Sequence, residues 1–163
     1  MIAQMSDPFG GHTLTLPYKT VAELLADYRA RHPDKTAIVD IDQGSSITYG
    51  ELEQLVTDIA ADLKRRGVAK GDRVLIYMPM IAEACFAMLA CARLGAIHSV
   101  VFGGFASHSL ASRIDDAKPK MVISAEAGAR GGKPVPYKPL LDEAINLSEH
   151  KPSKVLIIDR KLV

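Results

Sequence analysis
The 163-residue chain is 48% hydrophobic and 24% charged with a net charge of +1, the composition of one globular domain with or without an arm. A chain of this length buries roughly 70% of its unfolded surface, so it needs no disulfide or metal to fold. The near-zero charge excludes broad attraction to nucleic acid or to an anionic membrane, and any basic site must be local. Cys85 and Cys91 are the only cysteines. On a helix their spacing turns them about 240° apart, so they cannot pair there and read as core thiols in a reducing, cytoplasmic setting. No leader with a charged and an apolar region opens the chain, and its longest apolar run, Ala84 to Ala92, is too short to span a bilayer.

Residues 1–17, broken by Pro8, Gly10, Gly11 and Pro17, read as an irregular N-terminal arm. From Thr20 onward Val21, Leu24, Leu25 and Tyr28 repeat with helical period; Thr20 and Glu23 form a capping box, and Pro33 closes the helix. "TAIVDI" (36–41) reads as a strand that "ITY" pairs with as a hairpin. Thr48 and Glu51 open a second helix with Leu52, Leu55, Val56, Ile59, Ala60 and Leu63 on one face, ending at Gly67 behind Lys64, Arg65 and Arg66. "RVLIYM" (73–78) has the continuous apolar character of a buried parallel strand. Residues 81–95 form a helix apolar nearly all round, stopped at Gly95. Then come a strand at 96–102, a helix at 107–118, a strand at 120–125, a basic loop, a helix from about Pro139 to Ser148 and a strand at 154–159. This alternation predicts an α/β fold with a doubly wound, mostly parallel sheet and flanking helices, over residues 18–163.

In such sheets ligands sit beyond the carboxyl ends of the strands. Two loops qualify, "FGGFAS" (102–107) and "GARGGK" (128–133), and both open on one rim if their strands take adjacent paths. Phe102 offers a flat face suited to a purine, Gly103 and Gly104 bare the backbone, and Arg130 and Lys133 supply fixed charge. Together they suggest a phosphorylated adenosine. The alternative is plain: double glycines are common turn devices, a basic loop is usually solvated, and Phe102 can end a core strand. Neither loop is a standard fingerprint. A Walker loop would need Gly at Ala127 and a hydroxyl at Pro134, and Gly-x-Gly-x-x-Gly is absent. His98 reads as a core or rim histidine, Ser107 and His108 as capping residues, and Asp115-Asp116 as a solvated helix face. No metal cluster, nucleophile elbow or other catalytic constellation stands out.

"ITYGEL" (47–52) resembles the first signature of the adenylate-forming superfamily, the AMP-binding acyl-CoA synthetases. The long stretch from Arg73 to Lys133 resembles the short-chain members, acetyl-CoA and propionyl-CoA synthetases. "VVFGGFASHSLASRIDDAKPK" and "YKPLLDEAI" lean toward the propionyl type. The resemblance covers roughly residues 20–163. It implies that Phe102, Gly103 and Gly104 pack against the adenine of coenzyme A, while Arg130, Gly131, Gly132 and Lys133 contact its ribose and phosphates. It further implies a ligase that activates acetate or propionate with ATP and Mg²⁺ and passes the acyl group to coenzyme A. That family's Thr/Ser/Gly phosphate loop, acidic ATP-ribose ligand, acyl pocket and adenylation lysine have no counterpart in this sequence. The expectation is therefore an N-terminal fragment holding part of an AMP-binding domain, without catalytic residues and inactive alone. Its partners would be small molecules. Two alternatives stand beside it: a stand-alone coenzyme A or nucleotide-binding module, and a non-functional remnant with an exposed sheet edge at "KVLIID".

Overall fold
A computed structural model describes residues 3–5, 14–41, 43–130 and 133–162. The chain divides into two compact units, Met1–Leu55 and Val56–Val163, with the boundary inside a long helix.

In the first unit β1 (Ala3–Met5) pairs antiparallel with β2 (Leu14–Leu16). These strands lie in the stretch read as an irregular arm. Leu14-Thr15-Leu16 alternates as a strand should, whereas Pro8, Gly10 and Gly11 fall outside the described residues. Helix α1 (Val21–Arg31) starts as its capping box requires: the Glu23 N–H donates to Thr20 Oγ1 at 3.1 Å, and Glu23 Oε2 accepts from the Lys19 N–H at 2.8 Å. Of its apolar stripe only Leu25 is buried, and Val21 and Leu24 stay exposed. β3 (Thr36–Asp40) and β4 (Ser45–Thr48) form the expected hairpin. Helix α2 (Tyr49–Arg65) comes next behind a reciprocal box, with Thr48 N–H to Glu51 Oε2 at 2.8 Å and Glu51 N–H to Thr48 Oγ1 at 3.3 Å.

The second unit is built on β5 (Arg73–Met78), β6 (Ile97–Phe102), β7 (Met121–Ala125) and β10 (Lys154–Ile158). They form one parallel sheet in the order β10-β7-β5-β6. Alternate residues face opposite layers, as the period of a strand demands. Val74, Ile76 and Met78 of β5, with Met121, Ile123 and Ala125 of β7, pack with Ala60 and Leu63 of α2 and Ala87, Ala90 and Cys91 of α3 (Ala82–Leu94). Leu75, Tyr77 and Val122 pack on the other face with Leu110 and Ile114 of α4 (Ser107–Ala117) and Leu141 and Ala144 of α5 (Tyr137–Leu147). No residue of α3 is exposed, as its apolar circumference predicts. Gly95 ends it in the left-handed conformation, φ 69°, where a β-carbon would strain the chain. Cys91 is buried, Cys85 is half-buried, and both are free thiols.

The described residues of the basic loop belong to two paired strands. β8 (Ala127–Arg130) pairs antiparallel with β9 (Lys133–Pro136), and Arg130 is the register partner of Lys133. No helix among the described residues is long and apolar enough to cross a membrane.

Candidate functional site
The carboxyl ends of the four parallel strands form one rim, where Met78 is level with Phe102 and Ala125 with Ile158. The two loops singled out in the sequence both leave this rim. Their strands are not neighbours, because β5 lies between β6 and β7. The loops meet instead at Tyr137, the first residue of α5.

Phe102 ends β6 and is 65% exposed, so it does not terminate a core strand. Its ring lies edge-on to Phe105, with centroids 6.0 Å apart at 84°. The turn between them is closed by the Phe105 N–H donating to Phe102 O at 3.1 Å. Tyr77, fully buried, reaches up from β5 and donates its hydroxyl to Phe105 O at 3.1 Å. Burial pushes that hydroxyl up to about 12, so it remains a donor across the working pH range.

The glycines have a structural reason that the sequence does not announce. A β-carbon on Gly103 would stand 2.3 Å from the Tyr137 hydroxyl oxygen, and one on Gly104 would stand 2.4 Å from Cε1 of Phe102. Bare backbone at these positions accommodates the protein's own rings. Gly128, in β8, is hemmed in the same way, 2.9 Å from Cε2 of Tyr137 and 2.8 Å from Cβ of Pro79. Tyr137 therefore joins the Phe102 loop to the basic hairpin. In the sequence Tyr137 stood only as the first residue of "YKPLLDEAI", just ahead of the helix expected from about Pro139, and was given no role.

Of the basic residues, Lys133 is exposed and Arg130 stands opposite it in the ladder. Gly131 and Gly132 lie outside the described residues. Glu126 anchors the foot of the hairpin. Its backbone oxygen accepts from the N–H groups of Tyr137 at 2.9 Å and Lys138 at 3.1 Å. Its carboxylate accepts from Arg160 N–H at 2.7 Å and Leu162 N–H at 2.9 Å.

Other expectations change. Ala106, not Ser107, caps α4, and it makes no side-chain bond. Ser107 is buried and donates to Glu143 Oε2 of α5 at 2.7 Å, because its hydroxyl faces the neighbouring helix rather than the free N–H groups. Asp115 is not simply solvated: its Oδ1 accepts from the His150 N–H at 2.8 Å. His98 is exposed on β6, and His108 is exposed on α4. Among the described residues no group of three or more His, Cys, Asp or Glu side chains could hold a metal ion.

Residues 25–162 match the family described as AMP-binding enzyme. The chain is 51% identical over 158 residues to a propionate–CoA ligase of Salmonella typhimurium, covering 94% of this chain and 24% of the relative. A propionate–CoA ligase of Escherichia coli is 54% identical over 136 residues, 81% of this chain and 22% of the relative. The bovine mitochondrial acyl-CoA synthetase short-chain family member 3 is 56% identical over 116 residues, 71% and 17% of the two chains. Among solved structures, a fatty acyl CoA synthetase of Mycobacterium tuberculosis superposes with a TM-score of 0.74 at 25% identity, over 86% of this chain and 26% of that one. The chain thus spans about a quarter or less of the length of these relatives.

Proposed function
The chain belongs to the family of AMP-binding enzymes, and from that premise we propose that it is the part of a short-chain acyl-CoA synthetase that receives the nucleotide end of coenzyme A. The observation that carries this reading is the exposed Phe102 ring on the same rim as the Arg130–Lys133 pair, with Tyr137 between them. Phe102 stacks on the adenine, and Arg130, Gly131, Gly132 and Lys133 hold the phosphorylated ribose. The reaction of such a ligase has two steps. A short carboxylate attacks ATP to give an acyl-adenylate and pyrophosphate. The thiol of coenzyme A then attacks the acyl carbon, AMP leaves, and a thioester forms. Mg²⁺, when bound, spreads the charge of the ATP phosphates. None of this chain's residues is assigned as acid, base or nucleophile. The two free thiols suit a cytoplasmic, reducing setting.

Two experiments test the reading. Calorimetric titration should show the chain binding coenzyme A better than 3′-dephospho-coenzyme A, and Arg130→Ala should erase the difference. A lost charge-assisted contact of this kind costs about 1.5–3 kcal/mol, tenfold or more in affinity. Equal binding of the two ligands, or none, would remove the coenzyme A assignment. Separately, this chain should replace the matched segment of the Salmonella ligase and sustain propionate-dependent AMP release. A folded chimera that is inactive, beside a chain that still binds coenzyme A, would leave a binding module instead of a ligase part.

A further inference from the structure
Tyr137 opens α5 directly behind β9 and is 8% exposed. Its two ring edges face different elements: Cε1 would lie 2.6 Å from a β-carbon on Gly103, and Cε2 2.9 Å from one on Gly128. The ring is therefore a wedge, one edge on the loop after β6 and the other on the first strand of the basic hairpin. Tyr77 supports the arrangement from below. The two tyrosine rings are 5.1 Å apart at 44°, and Tyr77 holds Phe105 O, within the same loop, at 3.1 Å. The backbone of Tyr137 is fixed in turn, since its N–H donates to Glu126 O at 2.9 Å where β7 ends.

We propose that Tyr137 is a positioning residue: it sets the spacing between the Phe102 loop and the Arg130–Lys133 hairpin, and so couples adenine stacking to recognition of the 3′-phosphate. This rests on reading the rim as a coenzyme A nucleotide site. The ligand is stiff between its base and its 3′-phosphate, so only one separation of the two loops satisfies both. Losing the phosphate contact through misplacement costs about tenfold or more in affinity. Tyr137 also packs with Leu141 and Ala144 in the core, so lost stability alone would not distinguish the roles. The ratio of affinities for coenzyme A and its 3′-dephospho form does, because a purely structural loss leaves that ratio unchanged.

The test uses the whole chain with both ligands and three variants. Tyr137→Phe keeps the ring and should keep the ratio. Tyr137→Leu removes the wedge and should lower the ratio by about tenfold. Gly103→Ala forces the loop away from the ring while keeping the Tyr137 side chain itself and should do the same. If Tyr137→Leu and Gly103→Ala fold and keep the wild-type ratio, the proposal is overturned. Should Tyr137→Leu fail to fold, Gly103→Ala decides alone in the same sense. A wild-type chain that binds neither ligand would sink the coenzyme A reading. Amide hydrogen exchange, which needs no ligand, then decides the coupling. Faster exchange at both Phe105 and Gly128 in the Tyr137→Leu variant upholds it, and unchanged exchange at either overturns it.

Discussion

Asp72 shows how single side chains tie this fold together. Its carboxylate accepts from Lys120 Nζ at 2.7 Å and from the Ala69 N–H at 2.8 Å, while Lys120 also donates to Gly67 O at 2.6 Å. The segment behind α2 is thereby joined to the start of β7. The Lys120 ammonium first, then the Ala69 N–H, holds the Asp72 carboxyl below its ordinary value of 3.8. A depressed carboxylate contributes stability that is complete above the unfolded-state value and is lost as pH falls through the lower folded value. Stability should therefore be level from neutral pH to about 4 and decline below it. Asp72→Asn should be less stable at neutral pH, with a shallower decline in acid. Urea titrations at about pH 7 and about pH 3 check this, and equal acid losses in the two proteins would place the effect on other carboxylates.

At the scale of elements, what could be read from the sequence was what is determined locally. Thr48 and Glu51 sit three apart before an apolar stripe, and the structure closes both hydrogen bonds of that box. Thr48→Ala should lower stability by about 1 kcal/mol, measured by chemical denaturation, while Thr48→Ser should lose much less because the capping oxygen survives. The hairpin of β8 and β9 was not legible, and its prolines are the reason. Pro134 and Pro136 argue against a strand inside a sheet, yet among the described residues β9 pairs with β8 alone. Spaced two apart, both prolines put their missing N–H on one edge, which the two-stranded ribbon does not need. The capping role read for Ser107 failed for a related reason. A hydroxyl at the start of a helix satisfies whichever partner packs nearest, and Glu143 of α5 is a tertiary neighbour that local pattern does not reveal.

For the whole molecule, periodicity indicates which strands exist but not their order. The alternation of strands and helices announced a parallel sheet, while the order β10-β7-β5-β6 depends on how each crossover packs. That order decides how the site behaves. β5 and β7 are central and covered on both faces, with Leu75, Ile76, Val122 and Ile123 all buried. β6 and β10 are edges, where Val100 remains 53% and Val155 43% exposed. Phe102 and its loop thus hang on the less supported side of the sheet, while the hairpin hangs on the well-supported β7. The contrast in cost should be large. Leu75→Ala should destabilise by about 2–5 kcal/mol, because it empties a site that cannot collapse. Val100→Ala should cost well under about 1 kcal/mol, because water already reaches the deleted methyls. Native-state hydrogen exchange should show the same gradient, with amides of β5 and β7 opening only on global unfolding and those near Phe102 opening locally. A β6 as slow to exchange as β5 would refute the gradient. The gradient also bears on the proposed role of Tyr137. A loop on a soft edge needs a ring anchored from the firm side of the sheet to hold its distance, and the wedge between Gly103 and Gly128 supplies that anchor.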